Sequence, residues 1–130
     1  TVRAADEIVT AILVPKPKHP AVATFLKLGA RRYLVISIAM VGAAVERASD
    51  GTVAAARVAV GSCAAVARRL PALEAALVGR PSMPQLGAVA RPEHLAPLTP
   101  IDDVRGTADY RKDAALTLVR RALDQLGTAP

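Results

Sequence analysis

Polar and apolar positions change period part-way along the chain. Glu7–Val14 (EIVTAILV) and Val22–Leu28 (VATFLKL) are short runs rich in β-branched and apolar residues. A lysine-bearing loop with Pro15, Pro17 and Pro20 separates them, and Gly29 follows the second. Such runs bounded by proline and glycine read as strands, so the two are expected to pair as a hairpin with a long, proline-stiffened connection. The apolar stretch Leu34–Val45 then runs on to Arg47 and meets Asp50-Gly51. Val53–Gly61 follows, with Val58 and Val60 on one face and Arg57 on the other. Asp-Gly between two such runs predicts a second hairpin.

Beyond Gly61 the spacing becomes helical. Pro71 suits a first helical turn, Leu73, Ala76 and Leu77 form an apolar stripe, and Gly79 and Pro81 close the segment. Residues Pro84–Leu95 are interrupted by Gly87 and Pro92 and support only a short helix. Thr107 is placed to cap a last helix, with Asp109 and Asp113 near its positive end. Leu116, Val119, Leu123 and Leu126 fall on one face of it, Lys112, Arg120, Arg121 and Asp124 on the other, and Gly127 is the expected stop. Strands first and helices second predict a single α+β domain over residues 1–130. Its antiparallel sheet has three or four strands, with three helices packed on one face.

Composition narrows the function classes. Hydrophobic residues make up 52% of the 130 residues and mean hydropathy is +0.32, which argues against disorder. Aromatics are only 2%, so the core must be built from Ala, Val, Leu and Ile. The net charge of +6 raises nucleic-acid and acidic-partner readings. The basic residues, however, are scattered pairs (Arg31-Arg32, Arg68-Arg69, Arg120-Arg121), and stacking aromatics for single-stranded bases are nearly absent. No nucleic-acid partner is therefore expected, while docking onto an acidic protein stays open. The uncharged apolar run Tyr33–Val45 is shorter than the roughly 20 residues a membrane helix needs. Cys63, the single cysteine, excludes an internal disulfide and fits a reducing, cytoplasmic setting. A chain that opens without Met, directly on a strand-like run, is expected to be one part of a longer protein.

The residues alone give no active site. His19, His94 and Cys63 lack metal-ligand spacing, and Cys63 reads as a small buried thiol. Asp102-Asp103 are adjacent and point apart, which fits turn capping better than a shared acid–base site. No glycine-rich phosphate loop occurs.

Two segments carry a resemblance. FLKLGARRYLVISIAMVGAAV (Phe25–Val45) resembles an F-x-K-x-G-x-R stretch, and PIDDVRGTADYR (Pro100–Arg111) a P-I-x-D-x-R-G-x-x-x-Y-R block. Both belong to the C-terminal domain of the flavin (medium) subunit in the xanthine dehydrogenase and carbon monoxide dehydrogenase family of molybdenum hydroxylases. Ala56–Gly79 is similar to the intervening strand and helix, and DEIVTAILVP to a first strand. The resemblance implies a role in enclosing FAD, which passes electrons from [2Fe-2S] clusters to an acceptor. Molybdopterin and the clusters lie on partner subunits or domains, and the main FAD-binding portion precedes this region. It further implies that Lys27 lies near the isoalloxazine ring and that the backbone of Val9 lies beside it; Asp102, Asp103, Arg105, Tyr110 and Arg111 read as structural, fixing a loop-to-helix corner. No catalytic residue is expected within the chain. Tyr33, Leu34 and Val35 replace acidic residues that some members carry after the arginine pair. The rival reading is a stand-alone basic protein-interaction domain without a redox role.

Overall fold

A computed structural model describes residues 3–33 and 35–129; Leu34, in the apolar stretch discussed above, lies outside the described residues. Four strands form one antiparallel sheet in the order β1-β2-β3-β4: β1 Ala21–Gly29, β2 Ser37–Arg47, β3 Val53–Gly61 and the two-residue β4 Arg68–Arg69. Helix α1 spans Pro71–Leu77 and helix α2 spans Ala108–Thr128.

Register sorts the side chains into two faces. Opposite residues of an antiparallel pair share a face. Leu26–Val41–Val60 and Val22–Val45–Ala56 therefore form cross-strand rows on the inner face. There Val41, Val45, Val58 and Val60 are fully buried beneath Leu73 and Leu77 of α1 and Val119, Leu123 and Leu126 of α2. The outer face carries Ala23, Phe25 and Lys27, then Met40, Gly42 and Ala44, then Arg57 and Ala59. It has no helix on it, and Phe25 stays 63% exposed. The core is thus aliphatic and one-sided, as an aromatic-poor chain requires.

The Asp-Gly hairpin forms as expected. Gly51 adopts φ +81, and Asp50 Oδ1 accepts from both the Thr52 backbone N–H (2.9 Å) and its hydroxyl (2.7 Å). Thr107 caps α2, its hydroxyl accepting from the Tyr110 N–H at 3.2 Å.

Three expectations are corrected. Glu7–Val14 forms no strand and no hairpin with β1; it has no regular structure and is exposed throughout, and β1 pairs with the following strand instead. Its residues are apolar on both faces, a pattern that an open sheet edge cannot satisfy. The middle helix is absent, because Gly87, Pro92 and the surrounding turns leave only two short 3-10 segments, Leu86–Val89 and Pro92–Leu95. Among the described residues the sheet therefore carries two α-helices rather than three. Finally, Gly127 does not stop α2 but lies inside it, since even a methyl group there would collide with the Met83 carbonyl oxygen.

Candidate functional site

Lys27 lies near the C-terminal end of β1 on the open face, directly across from Met40, which is in turn across from Gly61. The β1–β2 connection folds back over this end. Its Val35 carbonyl accepts from Lys27 Nζ at 2.9 Å, which positions the ammonium and uses one of its three donors. A concavity of about 430 Å³ beside it is lined by Lys27, Leu28, Gly29, Arg31 and Arg32. Arg32 lies 5.3 Å over the Tyr33 ring, a cation–π contact. Among the described residues, the charged side chains that line this concavity are Lys27, Arg31 and Arg32. Val9 is elsewhere: it sits on the N-terminal arm, 70% exposed, with no strand pairing to bring it to β1.

The second half of this end is the corner from Pro100 to Arg111. Arg111 projects from the first turn of α2 and is 1% exposed. Its Nε donates to the Ile38 carbonyl (3.3 Å) and its Nη1 to the Ile101 carbonyl (2.8 Å) and to Asp103 Oδ2 (3.4 Å). Nη2 donates to the Ser62 carbonyl. One guanidinium thus joins β2, the loop after β3 and the corner itself. Asp102 Oδ1 accepts from the Ala108 N–H at 2.6 Å, a second cap for α2. The adjacent acids therefore do separate structural jobs. Above the corner a concavity of about 690 Å³ includes Met40, Ser62, Val66, Ile101, Arg105 and Arg111 among its lining residues. It meets the Lys27 row at Met40 and Gly61.

Electrostatics fix the corner. Hydrogen bonds from the Arg105 side chain and backbone, with Arg111 behind them, hold the Asp103 carboxyl down at about 2, against an ordinary 3.8. A carboxyl lowered in the folded state contributes stability that is present above its unfolded value and is lost as pH falls through the folded one. Thermal stability is therefore expected to drop between about pH 4 and pH 2, and Asp103→Asn to remove part of that drop. Glu46, Asp50 and Glu74 are also held below their ordinary values. The difference between the wild-type and Asp103→Asn melting curves isolates the corner's share; coincident pH profiles would count against it.

Cys63 is fully buried, with Sγ 3.9 Å from the Ile38 carbonyl and 3.8 Å from that of Arg111. Burial pushes its thiol up, which keeps it protonated and inert. Among the described residues no group of three His, Cys, Asp or Glu side chains is arranged to hold a metal ion, and no helix is long and apolar enough to cross a membrane.

Sequence reasoning missed Glu46. It lies on the outer face near the end of β2, only 3% exposed, and accepts from the Lys18 and His19 N–H groups (3.1 and 3.3 Å) and from Arg57 (2.6 Å). The available signal was an acid in strand phase with Ala44 and near Arg57 across the Asp-Gly hairpin.

The family model described as CO dehydrogenase flavoprotein C-terminal domain matches residues 24–126. The nicotine 6-hydroxylase medium subunit of Paenarthrobacter nicotinovorans is 31% identical over 125 residues, covering 95% of this chain and 42% of that protein. A carbon monoxide dehydrogenase structure from Hydrogenophaga pseudoflava, lacking the Mo-pyranopterin moiety of its molybdenum cofactor, superposes with a TM-score of 0.70. It shares 32% identity over 82% of this chain and 36% of its own. Quinoline 2-oxidoreductase from Pseudomonas putida 86 gives a TM-score of 0.71 at 23% identity, over 81% of this chain and 36% of its own, a likeness of fold. The chain spans less than half the length of each of these relatives.

Proposed function

Because the chain belongs to the CO dehydrogenase flavoprotein C-terminal domain family, we propose that it forms one wall of an FAD site in the medium subunit of a molybdenum hydroxylase. The observation that carries this reading is the family match over residues 24–126, which contains Lys27 in its exposed, cation-lined setting.

The residues present fit part of such a group and not the whole of it. Three cations beside a glycine offer a surface for an anionic, flat ring system, whereas the chain has no glycine-rich cradle for a pyrophosphate. The remaining contacts are supplied by the portion of the subunit that precedes this domain. FAD, when bound, relays electrons from iron–sulfur clusters to an acceptor, and those clusters and the molybdopterin centre lie on partner subunits. Lys27, steadied by the Val35 carbonyl, holds positive charge at the ring and stabilises negative charge that develops there. Val9, which the described residues leave apart from Lys27, meets the same ring only where the preceding portion of the subunit positions the arm. The isolated domain is expected to be inactive, because the redox centres need residues that lie outside it.

Flavin retention tests this. Expressed together with the preceding portion of the subunit, the protein is expected to purify with a flavin visible spectrum. Lys27→Ala should lower the flavin potential by about 30 mV, a tenfold change for a two-electron couple. Unchanged flavin affinity and an unchanged potential in that variant would overturn the lysine's role.

A further inference from the structure

The N-terminal arm is the feature least explained by a free-standing domain. Ile8, Val9, Ile12, Leu13 and Val14 are between 70% and 91% exposed, five large apolar side chains within eight residues. Isolated exposed apolar residues are ordinary, but a contiguous run marks an interaction surface. We propose that Glu7–Val14 is a strand of a second sheet, one belonging to the part of the medium subunit that precedes this domain. The inference rests on the family reading above.

Four observations select that occupant. In extended backbone Ile8, Ile12 and Val14 point to one side, Val9 and Leu13 to the other. A strand apolar on both sides belongs in a sheet covered on both faces. The free edge of β1 cannot provide this, because its inner face is covered and its outer face, with Phe25 63% exposed, is open. The exit of the arm is also fixed. Glu46 accepts from the Lys18 and His19 N–H groups, and the Arg47 N–H donates to the Pro20 carbonyl at 2.9 Å. Beyond that clamp, Pro15 and Pro17 stiffen the connection, so the arm is held away from β1 and not folded along it.

The fourth is the extent of the family match. The family model begins only at residue 24. The match to the nicotine 6-hydroxylase medium subunit covers 95% of this chain, and so takes in most of the residues before 24. The arm thus belongs to the longer subunit type while lying outside the domain, which suits a segment that crosses into a neighbouring one.

Hydrogen exchange decides the matter. The 130-residue chain is compared with the same chain joined to the coding sequence that precedes it in frame. Amides of Ile8–Val14 are expected to exchange at unprotected rates in the chain alone and roughly a hundredfold more slowly in the longer polypeptide. Rapid exchange in both would overturn the proposal. Protection in a monomeric chain alone would place the arm on its own β1 edge, and protection in a dimeric one would place it on a second copy; either result also overturns it. Flavin is measured on the same sample. A protected arm without flavin supports this inference while sinking the cofactor reading. As a second check, Ile12→Asp with Leu13→Asp should abolish protection in the longer polypeptide and leave the melting temperature of the chain alone unchanged. An equal loss of stability in both would show that the arm packs within this domain.

Discussion

Arg111→Ala is expected to lower the stability of the domain by about 2–5 kcal/mol, because a fully buried side chain that donates to several backbone carbonyls is lost. The reasons are local and additive in kind. The guanidinium is 1% exposed and serves the carbonyls of Ile38, Ile101 and Ser62 together with the Asp103 carboxylate. Truncation takes this donor from the three carbonyls, each costing roughly 1–3 kcal/mol where it is left buried and unpaired, while Asp103 keeps its bonds from Arg105. Ser62 adds to the dependence: it holds φ +67, a left-handed conformation that a non-glycine residue keeps only when its surroundings impose it. Arg111 is part of those surroundings. Arg111→Lys should recover little, because one ammonium cannot reach partners spread across the guanidinium fork. In thermal denaturation the alanine variant should melt about 10 °C or more below wild type. A loss under about 1 kcal/mol would show that water replaces the guanidinium at this corner.

The same corner shows what the sequence could and could not disclose. Pro100–Arg111 stood out as a unit, and its acids were legible as caps, because Asp, Thr and Gly before an amphipathic run have few other uses. The four partners of Arg111 were not legible. They are mostly backbone carbonyls from β2 and two loops, and a carbonyl leaves no mark in a sequence. The Asp50-Gly51 hairpin, Pro71 at the start of α1 and the apolar stripe of α2 were readable for the opposite reason: each is set by contacts within a few residues. Pairing between distant strands was misjudged for Glu7–Val14, where β-propensity was correct as a preference but carried no information about which sheet would satisfy it. Gly127 was misread as a stop because its cause is the close approach of the Met83 backbone, a tertiary contact and not a helix signal. Lys27 was found through a family motif. Its Val35 carbonyl contact and the neighbouring Arg31 and Arg32 become visible only once the β1–β2 connection is folded over the strand end.

Leu123→Ala is the second large effect expected, at about 2–5 kcal/mol. Leu123 is fully buried on α2, in the cluster that contains Val41, Val45 and Val58 from the inner face of the sheet. In a core without aromatic side chains, volume is filled by many small groups already in contact, and interiors are packed at crystal-like density. Neighbouring alanines such as Ala43 and Ala122 have no side-chain length to collapse into the gap, so the cavity term should stay large. Refilling tests that claim. Leu123→Met, nearly isovolumetric and unbranched, should cost less than about 1.5 kcal/mol. Val104→Ala, on a side chain 99% exposed, should be neutral within about 0.5 kcal/mol and serves as the surface reference. Urea denaturation of the three variants separates these outcomes. If Leu123→Ala cost no more than Val104→Ala, α2 would not be anchored to the sheet through this position. The one-sided core that holds Lys27 at the open end of β1 would then need a different account.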